Sequence, residues 1–194
     1  MRISDVHNVT GIPISTLKDL RHREILELAT AGWPDDPDEV RRWGNFSVPA
    51  VMIIMAADEV RQTYGLSWQA AITFARLALG SVRVPVEGQI AAAFFDLRAV
   101  PEEIWAGRFD FTTPAADLVE NWNYFAGTID SLPKHLSQIR AVAQKADDRN
   151  RHRVRDHEMQ NEVSSCIMIN ASRLCRTFWE RARAANALRS WEDR

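Results

Sequence analysis

The 194 residues are 46% hydrophobic and 26% charged, with a formal net charge of −2, the proportions of an ordinary soluble globular protein. No run approaches the ~20 uncharged apolar residues of a membrane span, and no long apolar segment follows the start Met1-Arg2-Ile3-Ser4-Asp5, so neither an anchor nor a secretory leader is expected. The charge argues against an indiscriminate polyanion binder. Residues 1–80 hold eight Lys and Arg against ten Asp and Glu, so any affinity for nucleic acid must come from a local cluster.

Ser4 is placed to cap a first helix, with Val6 and Val9 facing inward. Thr10-Gly11 ends it, because glycine turns the backbone through positive φ at little cost. Ile12 plugs the corner and Pro13 suits an extended step. A second helix begins at Ile14 or Ser15 and turns Leu17 inward. Two short helices meeting over a miniature core of Val6, Val9, Ile12 and Leu17 read as a helix-turn-helix. "ILELATAG" (25–32) opens with strand-like alternation, "GWPDDPDEV" (32–40) reads as a loop and "RRWGNFS" (41–47) as a returning strand, so a hairpin wing is expected.

Ser47 caps a third helix with Pro49 in its first turn, running to a stop at Gly65. Ser67 caps a fourth, "WQAAITFARLALG", stopped by Gly80. From Ser81 to Phe111 the pattern weakens. "VRVPV", "IAAAFFDL" and "IWAGRFDF" admit strands, "QIAAAFFDL" serves equally as a short helix, and a small, partly β connecting element is expected. Thr113-Pro114 marks a helix start. The remainder to about Leu188 is expected to be helical, with breaks near Gly127–Pro133 and in "KADDRNRHRVRDHE". Val163, Cys166, Ile167, Asn170, Leu174 and Phe178 then fall on one face at helical spacing, a seam for the core or for a dimer.

The chemistry points away from catalysis. There is no glycine-rich phosphate loop, nucleophile elbow or H-E-x-x-H, and the adjacent Glu102 and Glu103 diverge on a helix. The chain reads as a non-enzyme without a cofactor. Cys166 and Cys175, nine apart on one expected helix, would stand ~13 Å from each other, too far for a disulfide. They read as reduced thiols of a cytoplasmic protein. His152 and His157 miss the i, i+4 spacing of a helical metal pair, and no metal is expected. Trp105, Trp122, Trp179 and Trp191 read as packing residues, with a small-molecule cage as the alternative.

The second helix carries the sharper signal. A recognition helix places short polar side chains and cations where they meet base edges and phosphates. Ser15, Thr16, Lys18, Arg21 and His22 fit that need, and Arg23 extends it. In the expected wing, Arg41, Arg42 and Trp43 supply backbone contacts, which give affinity and register. The bland alternative is two packed helices with a solvated charged face.

"ISDVHNVTGIPISTLKDLRHREIL" resembles the opening of MerR-type winged-helix domains, with its short helix, threonine-glycine corner and Thr-Leu-basic run. "RRWGNFSVPAVMIIMAADEVRQTYGLSWQAAITFAR" is similar to the same family's end of wing and its third and fourth helices. The resemblance covers roughly residues 2–80 and implies a sequence-specific, dimeric DNA-binding regulator. Thr16 and Lys18 match the family's Thr-Leu-Arg segment, and Arg41 and Arg42 match the wing. Asp19 and Leu20 stand where the family has aromatics, His7 where it prefers alanine, and "WPDDPDE" makes the wing loop acidic.

The expected architecture is therefore mainly α. Residues 1–80 form a winged helix-turn-helix, and residues 81–194 form a mixed element and a helical dimerisation or effector region. The expected partners are double-stranded DNA, a second copy of the chain, and RNA polymerase or another protein. Two rivals are an adaptor whose winged helix no longer touches DNA, and a phage- or recombination-type accessory factor.

Overall fold

The computed structural model describes residues 1–30, 46–82, 94–111, 124–138, 141 and 163–187. The expected wing loop and most of its returning strand, with Arg41, Arg42 and Trp43, lie outside the described residues. So do most of "VRVPV", the Thr113-Pro114 helix start and the charged run at 145–158. What is described is mainly helical, with a small antiparallel sheet of three strands.

Helix α1 (Ile3–Thr10) starts two residues earlier than a Ser4 cap would put it. Arg2 is the cap residue, and its N–H donates to the Asp5 carboxylate at 2.7 Å. Helix α2 (Ile14–His22) ends where Glu24 adopts a left-handed φ of 59° and Ile25 N–H donates back to the Leu20 carbonyl at 2.9 Å. This wrapped helix end redirects the chain into a short helix, α3 (Glu27–Thr30), where a strand was expected. The reason is the spacing of what gets buried. Leu26 and Ala29, both essentially inaccessible, are three apart, which is a helical period and not a strand's. The last stretch before the next helix does run beside the chain's start: Phe46 N–H donates to the Met1 carbonyl, and the Met1 amino group to the Phe46 carbonyl, each at 2.6 Å.

Helix α4 (Val48–Tyr64) and helix α5 (Trp68–Gly80) follow the sequence reading closely. Ser47 and Ser67 accept from the N–H groups of Ala50 and Ala70, and Gly65 closes α4 at φ 71°. Val48 to Ile54 are buried without a break, so the first half of α4 has no solvent face and forms the axis of the core. It packs against α5, α3, α1 and the C-terminal helix.

The partly β element expected between Ser81 and Phe111 is present, but the expectation of a helical remainder from Thr113 to about Leu188 fails. A 3-10 turn (Phe94–Ala99) leads to strand β1 (Trp105–Phe111), the expected "IWAGRFDF" strand. Strand β2 (Tyr124–Gly127), a 3-10 turn (Ile129–Ser131) and a short helix α6 (132–138) follow, then strand β3 (Val163–Asn170) and helix α7 (Ala171–Ala184). β1 lies in the middle, pairing antiparallel with both neighbours: Trp105 with Gly127, and Trp105 with Asn170 on the other side. Gly107 sits at the closest approach. A Cβ there would stand 2.5 Å from the Ile167 carbonyl oxygen and 2.8 Å from the Met168 side chain.

The supposed helical stripe from Val163 to Phe178 is thus two elements. Val163, Cys166, Ile167 and Asn170 belong to a strand, and only Leu174 and Phe178 face inward from a helix. Asn170 is the hinge: its side-chain oxygen accepts from Arg173 N–H at 2.8 Å and starts α7. The inward side chains Leu174 and Phe178 are buried within the chain's own core, while Cys166 is exposed on β3. One hydrophobic cluster includes Val6 and Leu17 of the first two helices, Met52 and Ile54 of α4, Ala106 and Ile169 of the sheet, and Leu174 and Phe178 of α7.

Candidate nucleic-acid interface

The corner between α1 and α2 is stitched by short-range bonds. Gly11 takes φ 79°, and its N–H donates to the His7 carbonyl at 2.8 Å. Thr10 Oγ1 donates to the Val6 carbonyl at 2.7 Å and accepts from Ile12 N–H at 3.2 Å. His7 Nδ1 lies 2.8 Å from the Ile12 carbonyl. A carbonyl only accepts, so Nδ1 carries the proton. The histidine therefore clamps the turn. Val6, Val9, Ile12 and Leu17 are all buried, as the sequence predicts.

On α2, Leu17 and Leu20 face the core. At 100° per residue, Ser15, Lys18, Asp19 and His22 come out on the opposite side. All four are exposed, as is Arg21; Thr16 is half-buried. Thr16 and Arg21 border the outward stripe on its two sides. Asp19 does not stand bare among these cations, because Arg23 Nε donates to its carboxylate at 3.1 Å. Residues 14–23 carry Lys18, Arg21 and Arg23 against Asp19. This stretch therefore carries a local surplus of positive charge, as does α7 to a greater degree, with Arg173, Arg176, Arg181 and Arg183 against Glu180.

A second tie holds the corner from outside. Arg181 of α7 reaches the Val9 carbonyl at 3.4 Å, at the C-terminal end of α1, where a cation and the helix dipole suit each other. On its other flank α7 is held by the 3-10 turn. Trp179 Nε1 donates to the Phe95 carbonyl at 3.1 Å, and the Arg98 guanidinium stacks 3.9 Å from the Trp179 ring centre. Trp179 is a packing residue, as expected.

The two cysteines occupy different elements. Cys166 is exposed on β3 and Cys175 buried on α7, both as free thiols. Burial pushes both thiols above the ordinary range, with the Asp110 carboxylate adding to the effect at Cys166. Neither is an activated thiolate. Burial lowers His135, against a hydrogen bond with the Tyr124 backbone that raises it; its ring packs edge-on against Phe125, 5.3 Å between centres. Among the described residues, no three His, Cys, Asp or Glu side chains gather as a metal site, and no helix is long and apolar enough to cross a membrane.

Comparison with protein-family models, with curated proteins and with solved structures returns no match. Beyond the α2 face, the structure assembles one feature that sequence reading missed. Glu59, Trp105, Met168 and Arg173, from four separate elements, meet around a cavity. No local motif marks such a convergence, since its members are up to 114 positions apart.

Proposed function

We propose that this chain is a sequence-specific double-stranded DNA-binding protein of the winged helix-turn-helix kind. It would act as a two-fold pair in transcriptional regulation within the cytoplasm. The observation that carries this reading is the outward face of α2: Ser15, Lys18 and His22 point to solvent directly opposite the Leu17–Leu20 stripe, with Thr16 and Arg21 at its borders. In this reading α2 enters the major groove, where hydroxyls and cations meet base edges, and Arg41, Arg42 and Trp43, outside the described residues, meet the flanking phosphates. A nine-residue helix reaches few bases. A paired copy doubles them on a palindromic site, from which RNA polymerase is recruited or blocked.

The test is an unbiased selection of duplex fragments on the purified protein, followed by a salt titration on the selected site. A discrete palindromic sequence should emerge. Its affinity should fall with log salt at a slope of about 0.9 per neutralised phosphate. Replacing Lys18 and Arg21 together by alanine should abolish specific binding with folding intact. Failure to enrich any sequence, or undiminished affinity in the double variant, would overturn the assignment. A partner protein held with little salt dependence would favour the adaptor instead.

A further inference from the structure

The C-terminal half of α4 faces the ends of β1 and β3 and the first turn of α7 across a cavity of about 240 Å³. That is below the roughly 300–1,000 Å³ of sites for drug-sized molecules, so its occupant is compact. Trp105 and Met168 line it, both half-buried, and Tyr64 borders it, 43% exposed. An indole and a thioether make a wall that suits a flat apolar group.

Charge then decides the chemistry. Arg173 Nη2 donates to Glu59 Oε1 and straps α7 to α4 beside this wall. A guanidinium has five N–H donors and a carboxylate two acceptor oxygens, so the pair keeps capacity for further partners. Asn170 also lines the cavity, but its side chain is committed, capping α7 through Arg173 N–H and donating to Glu103 at 3.1 Å. The Thr63 and Tyr64 hydroxyls can add neutral hydrogen bonds, and charged recognition falls to Glu59 and Arg173. A simple anion would be attracted by one of them and repelled by the other, and so would a simple cation. A molecule with both charges meets two attractions.

We propose that this cavity binds a small aromatic zwitterion, an α-amino acid of the tryptophan or phenylalanine type. Its carboxylate lies on Arg173, its ammonium on Glu59 and its ring against Trp105 and Met168. The site stands independently of the DNA-binding reading. Because its walls come from both sides of residue 80, an occupant ties α4 to the sheet and to α7.

Titration calorimetry on the full chain tests this with three probes: L-tryptophan, tryptamine and indole-3-propionate. L-Tryptophan should bind at least about tenfold tighter than either single-charge probe, the scale of one charge-assisted contact. Arg173→Ala should weaken L-tryptophan and indole-3-propionate by a similar factor and spare tryptamine. Glu59→Gln should weaken L-tryptophan and tryptamine and spare indole-3-propionate. The probe series on the unaltered chain keeps the test decisive if a variant misfolds. Absence of heat up to the solubility limit of L-tryptophan, or equal binding of all three probes, would overturn the proposal.

Discussion

The corner around Gly11 and the sheet around Gly107 solve the same problem, bringing two backbone segments close, from opposite ends of the scale. At the corner the stitching bonds from Thr10, Ile12 and His7 span two to five positions. In and beside the sheet, Ser165 donates to Asp110 across 55 positions, and Ile104 N–H to Ser172 across 68. The first arrangement forms at small loop-closure cost, whereas the second forms only once long loops are closed. The corner is thus encoded locally but held by α7, which is placed by the sheet.

Four substitutions break or sharpen that contrast. Phe178→Ala empties a fully buried position on α7 and should cost about 3–5 kcal/mol in denaturant unfolding. Because one cluster joins α7 to α1 and α2, exchange protection at Val6 and Leu17 should fall with the global transition; unchanged protection there would mean the corner stands without α7. Gly107→Ala drives a methyl toward the Ile167 carbonyl and Met168. It should cost about 2 kcal/mol, read as a lower denaturant midpoint. Gly11→Ala meets no neighbour within 4 Å but keeps φ at +79°. Its penalty is then the left-handed backbone, about 1–2 kcal/mol, also from the denaturant midpoint. Asp19→Ala removes an exposed i, i+4 ion pair and should change stability by less than about 0.5 kcal/mol. In the DNA-binding reading it tightens duplex affinity, and a weakened duplex in a filter-binding assay would count against α2 as the contact face.

The same contrast explains what could be read from the sequence. Helices α1, α2, α4 and α5 carry their own punctuation: Gly11, Ser47, Gly65 and Ser67 each act where the residue type alone places them. The four-residue miniature core follows from spacing within one turn and its neighbours. The strands β2 and β3 lack such marks. "VSSCIMIN" runs straight into α7, so a helical period fitted across the junction catches the true inward residues Leu174 and Phe178 and wrongly recruits the exposed Cys166. The overlooked signal is Asn170 ahead of Ala171-Ser172, a capping residue read as part of a stripe. At α3, tertiary burial of Leu26 and Ala29 overrides the strand-like alternation of "ILEL". The outward set on α2 is legible because its opposite face is plainly apolar. The Glu59–Arg173 strap was not legible, since nothing near either residue announces the other.

The reach of Arg181 to the Val9 carbonyl has a consequence for synthesis. A nascent chain has made α1 and α2 long before α7 leaves the ribosome, so the first two helices wait for their outer brace. Until that closing helix arrives, the outward face of α2 is presented on an unfinished support, and a chain truncated before α7 should be a substrate for proteolysis rather than a competitor for the intact protein.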